Sequence, residues 1–326
     1  MLRAILAATV LLLAGCARHA AAPAASSFSF ALLGDVPYSA DAEPGLQQML
    51  RRIDDDPSVR FVLHAGDLKG SGESCSDELL RRRVAQLQAV HKPLVYTPGD
   101  NEWTDCHRPG AGSYMPLERL DALRRLAWPD PGRSLGQSPL AVQSQAGFPE
   151  NAQFSYGRVA FVSLHVTGSN NGLEPWRAKS AAQSKALREE QLAAFARREA
   201  ANLAWLESAF ARAHADEAIG VVVLMHANPR FELPPGDARR AGFEAILAAL
   251  ARLAAGFGRP VLLLHGDEHV FIDDHPLAEA SPPVPNLRRV QTFGHPFTQW
   301  LRIDVDAGSS ALFRLGVGPK THAITG

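Results

Sequence analysis

Four places in the chain carry the same two residues just after an apolar run: Gly34-Asp35, Gly66-Asp67, Gly99-Asp100 and Gly266-Asp267. With 26 glycines in 326 residues, composition alone gives one or two such pairs, so the repetition is patterned. Glycine lets the backbone turn sharply at a strand end. The aspartate then points out at the carboxyl edge of the sheet, where open α/β folds place ligands. A single aspartate there reads as a helix cap or turn residue. Four converging carboxylates repel one another and call for a cation, and hard divalent or trivalent metals suit them. Two histidines join the set. His226 ends the run VVVLMH, and His269 follows the fourth aspartate in GDEH. Mixed Asp/His ligation suits Mn²⁺, Fe or Zn²⁺ better than Ca²⁺. A fifth pair, Gly236-Asp237, has no strand before it and reads as the start of a helix.

The elements that must position these side chains are legible as short β-rich runs. They lie at 28–33, 60–65, 93–97, 159–166, 219–226, 260–265, 289–293, 300–305 and 311–315. Several are almost wholly apolar, as expected of strands covered on both faces. Helical patterns lie between many of them. Phe243, Ile246, Leu247, Leu250 and Leu253 follow 3.6 spacing, with Asp237 as a cap and GFGRP (256–260) as the stop. Leu203, Leu206 and Phe210 mark another helix inside the Ala-rich 185–214 stretch. Strand and helix alternate over the first two thirds, and strand follows strand in the last quarter. That order predicts an α/β layered domain whose sheets end in an antiparallel part. The segments 108–116 and 128–139 are loop-rich insertions, and no internal repeat appears, so residues 28–326 read as one domain.

The chain begins with MLRAILAATVLLLAGC, one arginine followed by an apolar run from Ala4 to Ala14. The run is too short to span a bilayer and fits a signal-peptide core. LAGC (13–16) resembles a bacterial lipobox, so residues 1–15 are expected to be removed and Cys16 to carry the lipid. Residues 16–27 then form a tether to the membrane. Ala17 after the cysteine gives no inner-membrane retention signal, so we expect an exported lipoprotein anchored at the outer membrane and facing the periplasm. Disulfides persist in that compartment. The two remaining cysteines, Cys75 and Cys106, are expected to bridge, with free thiols as the alternative. The net charge of −1 gives no basic excess and indicates no nucleic-acid partner.

In motif order the chain resembles the calcineurin-like metallophosphoesterase superfamily, including its purple acid phosphatase relatives. The resemblance implies a four-layer α/β/β/α sandwich with metals held at strand ends. One or two divalent or trivalent ions (Mn, Fe, Zn or Mg) would activate water against a small phosphorylated substrate. The first motif, GDVPY, keeps Asp35 but has Pro37 where a histidine often sits. Purple acid phosphatases place a tyrosine three residues after the second aspartate. That place is Gly70 here, and Tyr38 stands three residues after the first aspartate instead, either reaching the metal or packing and hydrogen-bonding. In AGDLK, Asp67 matches the carboxylate that bridges two metals. The third motif reads GDNE, with Asp100 in the place of the Asn ligand and Asn101 in the place of the catalytic His. Either Asp100 takes the metal and Asn101 orients phosphate, or Asn101 takes the metal itself. Asn cannot transfer a proton near neutral pH, and losing a positioned acid costs about 10²–10⁴-fold. His226 matches the fourth motif. In the fifth, His269 matches and Asp267 replaces the first histidine.

Neighbouring residues carry weaker expectations. Lys69 reads as a phosphate contact or a solvated loop lysine. His107 could replace the missing acid and Arg108 could bind an anion, exposed loop positions being the alternative. Asn170 and Asn171 in TGSNNG read as substrate contacts or as a turn. His64 and His265 read as support within the strands, and Trp103 as loop packing or an aromatic wall against a base or sugar. Two functions fit: a metal-dependent phosphoester hydrolase, or a degenerate envelope lipoprotein that binds metal or an anion without turnover.

Overall fold

A computed structural model describes residues 27–177, 180–309 and 311–317. The N-terminal leader, Cys16 and most of the tether lie outside the described residues. Twelve strands are described: β1 (Phe28–Leu33), β2 (Val59–His64), β3 (Leu94–Tyr96), β4 (Gln143–Gln145), β5 (Phe148–Tyr156), β6 (Val159–Ser163), β7 (Gly220–Leu224), β8 (Val261–His265), β9 (Ile272–Asp274), β10 (Leu287–Gln291), β11 (Leu301–Val305) and β12 (Phe313–Val317). They form a five-stranded sheet, β12-β11-β1-β2-β3, and a seven-stranded sheet, β4-β5-β6-β7-β8-β10-β9. The main helices are α1 (Glu43–Asp55), α2 (Asp77–Gln88), α3 (Pro116–Ala127), α4 (Ala181–Ala215) and α5 (Glu244–Phe257).

The alternation of side chains along a strand sets the layers. In β1, Phe30 and Leu32 pack between the sheets with Phe161, Leu224, Leu262 and Leu264 of the other sheet. Ala31 and Leu33 face the other way, onto Leu46, Met49 and Ile53 of α1 and Val84 and Leu87 of α2. In the second sheet, Val221, Val223 and Leu263 face Leu206 and Phe210 of α4 and Leu247 and Leu250 of α5. These central strands are therefore apolar on both faces, which is why their runs stand out in the sequence. Each fully buried Leu or Phe contributes about 1.5–3 kcal/mol. The result is the expected four-layer α/β/β/α sandwich.

The parallel blocks β1-β2-β3 and β6-β7-β8 place their carboxyl ends toward one edge of the sandwich. Antiparallel β11 and β12 close the first sheet. Three strands escape the apolar pattern: β4, β5 and β9. In β5 the helix-facing side chains are polar, and Asn151 and Gln153 hydrogen-bond Asn202, Ser208 and the Trp205 carbonyl of α4. Docking by hydrogen bonds leaves no hydrophobic signature. Asp237 accepts from the Arg239 amide and caps a short 3₁₀ turn, Ala238–Phe243, that precedes α5. Gly258, at φ 68°, ends α5. Among the described residues, no helix is long and apolar enough to cross a membrane.

Candidate metal centre

The four Gly-Asp pairs lie at strand ends, Gly34 and Gly266 directly after β1 and β8, Gly66 just beyond β2 and Gly99 just beyond β3, and His226 lies two residues beyond β7. Asp35, Asp67 and Asp267 adopt left-handed backbone conformations at φ 58°, 57° and 87°. Such conformations cost non-glycine residues on the order of 1 kcal/mol or more, and strain of this kind gathers at functional sites. The glycines serve close approach more than turning. A Cβ on Gly99 would lie 2.0 Å from Asp67 Oδ1, and one on Gly266 would lie 2.2 Å from Asp35 Oδ2.

Two overlapping donor groups result, Asp35–Asp67–His226 and Asp100–His226–Asp267, each with its ligand atoms within 4.8 Å of one another. The His226 ring is oriented by an Nδ1 contact of 2.6 Å to the Ala65 carbonyl. That bond makes Nδ1 the donor and leaves Nε2 as the inward-facing acceptor when the ring is neutral. Nε2 stands 3.6 Å from Asp67, 3.5 Å from Asp100 and 3.7 Å from Asp267. It has no aligned hydrogen-bond partner, so the Asp100 approach is a charge contact. Asp35 Oδ2 also lacks a partner. Both residues are fully buried. Two orphaned polar atoms aimed into a ring of carboxylates fit a cation, because unpaired buried polar groups are otherwise costly.

The electrostatics show the same need. Burial first, and then neighbouring carboxylates, push Asp35 up to about 8 and Asp267 to about 7, against the lowering effect of His226. Burial opposes charge on His226, but the carboxylates around it outweigh burial and raise its pKa well above the usual histidine value. Burial likewise raises Asp100, yet His226 and Ser169 outweigh it and hold Asp100 at about 2. Without a cation, protons carry the compensating charge.

The two polar residues of the third loop are placed differently. Asp100 joins His226 and Asp267. Asn101 does not: its amide donates to Asp67 Oδ2 and its backbone NH to Asp67 Oδ1, at 3.2 Å for the latter. It steadies the central carboxylate. His269 flanks the first group, with Nε2 3.8 Å from Asp35 Oδ1 and 2.9 Å from the Tyr38 hydroxyl. Glu102 ties the second and third loops together by accepting from the Leu68 amide and the Tyr96 hydroxyl, both at 2.8 Å. The Cys75–Cys106 disulfide is formed, with a Cα–Cα distance of 5.8 Å. Its two sulfurs pack on the Asn101 carbonyl at 3.4 and 3.6 Å.

Several expected substrate contacts are not presented to a substrate. Lys69 is fully buried and donates to the Gly70 carbonyl, so it is neither an open phosphate contact nor a solvated lysine. Asn170 is held by the Ala238 carbonyl and the Gly242 amide. Asn171 bridges Thr167 and Gly242. Both are committed to holding a left-handed turn, Ser169–Asn171, at φ 52–54°. His107 accepts from the Arg177 backbone at 3.0 Å, and burial with two nearby arginines lowers it to about 4. A neutral ring turned toward residue 177 is poorly suited to replace the missing acid. Arg108 remains at the rim, paired with Asp105 at 2.6 Å and 3.3 Å from Ser169 Oγ. His64 and His265 are fully buried and lowered to about 3, chiefly by burial, so they stay neutral behind the loops. Trp103 is buried beneath Arg198.

The sequence reading passed over Ser169 and Asn228. Ser169 Oγ lies 2.9 Å from both Asp100 and Asp105, and the Asn228 backbone NH donates to Asp267 at 3.0 Å. Ser169 lies within TGSNNG and Asn228 two residues after His226, but neither residue type marks a metal site. A cavity of about 660 Å³ opens beside Asp267 and Ser169, with Arg230, Arg239, Glu174 and Glu232 in its lining. Another cleft of about 570 Å³, lined from Arg81 to Pro139, contains none of the metal-centre residues.

A family model for the calcineurin-like phosphoesterases matches residues 28–271. No curated protein matches the chain. Among solved structures, PhoD is similar at 14% identity and a TM-score of 0.51, over 89% of this chain and 68% of PhoD. GAP50, the anchor in the inner membrane complex of Plasmodium, is similar at 11% identity and a TM-score of 0.48, over 92% and 90%. Phosphopantetheinyl hydrolase (PptH) from Mycobacterium tuberculosis is similar at 15% identity and a TM-score of 0.41, over 83% and 91%. The likeness to PhoD supports the fold alone. The family match spans all four Gly-Asp ends and both histidines, and the chain belongs to the calcineurin-like phosphoesterase family.

Proposed function

We propose that this chain is a metal-dependent phosphoester hydrolase of the cell envelope. The observation that carries the reading is the pair of donor groups sharing His226, with His226 Nε2 and Asp35 Oδ2 buried and partnerless. Asp35, Asp67 and His269 would hold one cation, and Asp67, Asp100, His226 and Asp267 a second. Bound metal would supply a water-derived nucleophile at neutral pH and neutralise charge on the phosphoryl group. Asn101 would keep the Asp67 carboxylate oriented. Arg108, at the rim, would meet the phosphate as a charge partner. The cavity beside Asp267 would take the rest of the ester, and its mixed lining suits a polar substrate.

Among the described contacts no imidazole takes the place of Asn101. Esters with acidic leaving alcohols are therefore the best substrates, since they need the least protonation. The same observation favours the second reading, a metal- or anion-binding protein without turnover. Metal analysis by mass spectrometry, with hydrolysis of chromogenic phosphomono- and diesters, separates the two. We expect turnover that Asp67→Ala abolishes along with most bound metal. Metal-loaded protein inert to both esters would overturn the hydrolase reading.

The lipobox-like LAGC and the disulfide support an envelope location, with Cys16 as the lipid anchor and residues 28–326 as the exported domain.

A further inference from the structure

Of the five large apolar side chains that stand exposed among the described residues, three lie on two segments bordering the metal centre: Val270, Phe271 and Phe297, at 60%, 39% and 54% exposure. Single apolar side chains on a surface are ordinary. These are gathered. Phe271 stacks on Phe293 with ring centres 5.2 Å apart, and the Phe297 NH closes a turn on the Gly294 carbonyl at 2.9 Å. Both segments are pinned to residues of the centre. Phe271 lies two residues beyond His269. The His295 NH donates to the Asp35 carbonyl at 3.0 Å, and its ring stacks on Tyr38 at 5.4 Å. Gly294 permits that approach, since a Cβ on it would lie 2.6 Å from Asp35 Cβ and 2.8 Å from His269 Cδ2. Two residues of extended chain cover about 7 Å at most. The Cα of Phe271 is therefore within that reach of His269, and the Cα of Phe297 within the same reach of His295.

The cavity beside Asp267 and Ser169 has none of these residues in its lining. The centre is thus bordered by a polar cavity on the Asp267 side and by apolar rings on the side of Asp35 and His269. We infer that Phe271 and Phe297 form an aromatic wall that takes a flat apolar ring carried by the phosphate ester, an aryl group or a nucleobase. The inference rests on the metal centre proposed for Asp35, Asp67 and His269 and gives that site a substrate class. A phosphoryl group held there keeps a ring close to it within reach of the wall. Stacking recognises the π-face of a ring and needs no hydrogen bond, so exposed phenylalanines are sufficient for it. A protein partner fits less well. A stable interface takes roughly 20–30 residues a side, and the wall offers three exposed side chains. The aromatic wall expected of Trp103 is supplied by another part of the chain, because Trp103 is buried.

Binding of inert phosphonates tests the wall without turnover. On the zinc-loaded full chain, phenylphosphonate is expected to bind about tenfold tighter than methylphosphonate by isothermal titration, the gain typical of one stacked ring. The phosphonate analogues of adenosine 5′-phosphate and ribose 5-phosphate, compared in the same way, read a nucleobase in place of the aryl ring. Phe271→Ala combined with Phe297→Ala should bring whichever preference is found to within about twofold, with zinc still bound by mass spectrometry. Should the alanine pair lose zinc, the leucine pair keeps the apolar bulk without the rings and carries the same comparison. A preference in the aryl pair, the nucleobase pair or both, lost in the double variant, supports the wall. No preference in either pair, or one that survives the double variant, would overturn it while leaving the metal centre standing. Self-association of the wild type that the double variant abolishes would assign these side chains to a second copy and overturn it as well. A wild-type chain that holds no zinc would overturn the metal-centre reading and this inference together.

Discussion

His226 is the residue through which the two halves of the centre communicate. Its Nε2 is nearly equidistant from three carboxylates and hydrogen-bonded to none, the arrangement expected of a ligand whose partner is an ion. Around it, the raised pKa values of Asp35 and Asp267, about 8 and about 7, carry a consequence for stability. A group whose folded pKa lies above its unfolded value contributes stability below the unfolded value and loses it as pH rises through the folded one. Metal-free protein should therefore lose thermal stability as pH rises from about 6.5 to about 8, above the range in which the buried neutral His64, His265 and His107 act with the opposite sign. Asp100, held at about 2, acts with the opposite sign, but its contribution changes only on acidification below that window. Thermal unfolding of chelated protein across pH should show the fall, and added Zn²⁺ or Mn²⁺ should restore most at the alkaline end. A melting temperature that rises with pH across that window in the chelated protein would contradict this account.

At the scale of elements, the centre is made by strand-end loops whose backbones approach within a carboxylate's reach of one another. The β6 loop shows this best. Gly168 precedes the left-handed Ser169–Asn171 turn, and a Cβ on it would lie 2.6 Å from Asp100 Oδ2 and 2.7 Å from Asp267 Oδ1. Gly168→Ala should therefore weaken binding at the Asp100–His226–Asp267 position by at least tenfold while circular dichroism stays unchanged. Isothermal titration with Zn²⁺ measures it, and unchanged affinity would show that this loop does not bound the site. The sequence marked TGSNNG as a turn or a substrate contact. It is the turn, and its asparagines are held by Ala238 and Gly242, Asn170 in the wall of the cavity and Asn171 buried behind it. Their amides can serve a turn or a ligand equally well, and only the packing of the 238–243 segment decides between them.

For the whole molecule, two sheets bring strand ends that are far apart in sequence to one edge, with Asp35 and Asp267 joined by an amide–carboxylate contact of 3.0 Å. Burial of Phe30, Phe61, Phe161 and Leu264 between the sheets enforces that meeting. The proposed anchor acts at this scale too, since it decides where the domain works. Expressed from its full-length gene, the protein should sediment with membranes and incorporate labelled fatty acid. Cys16→Ser should remove the label and release the protein into the soluble fraction. Wild type that is soluble and unlabelled would rule out the lipid anchor.

By itself the sequence determined the layered α/β class, because strands buried on both faces must be apolar throughout. It also determined the Asp and His positions, because a Gly-Asp pair at a strand end is a local feature. The tertiary structure decided the rest. It placed Asp100 rather than Asn101 with His226, buried Lys69, tied Asn170 and Asn171 to Ala238 and Gly242, and set Tyr38 against Asp67 and His269. Each of these outcomes depends on which loops meet, and that is set by the packing of two sheets across separations such as the 231 residues between Tyr38 and His269. No local pattern encodes such a distance.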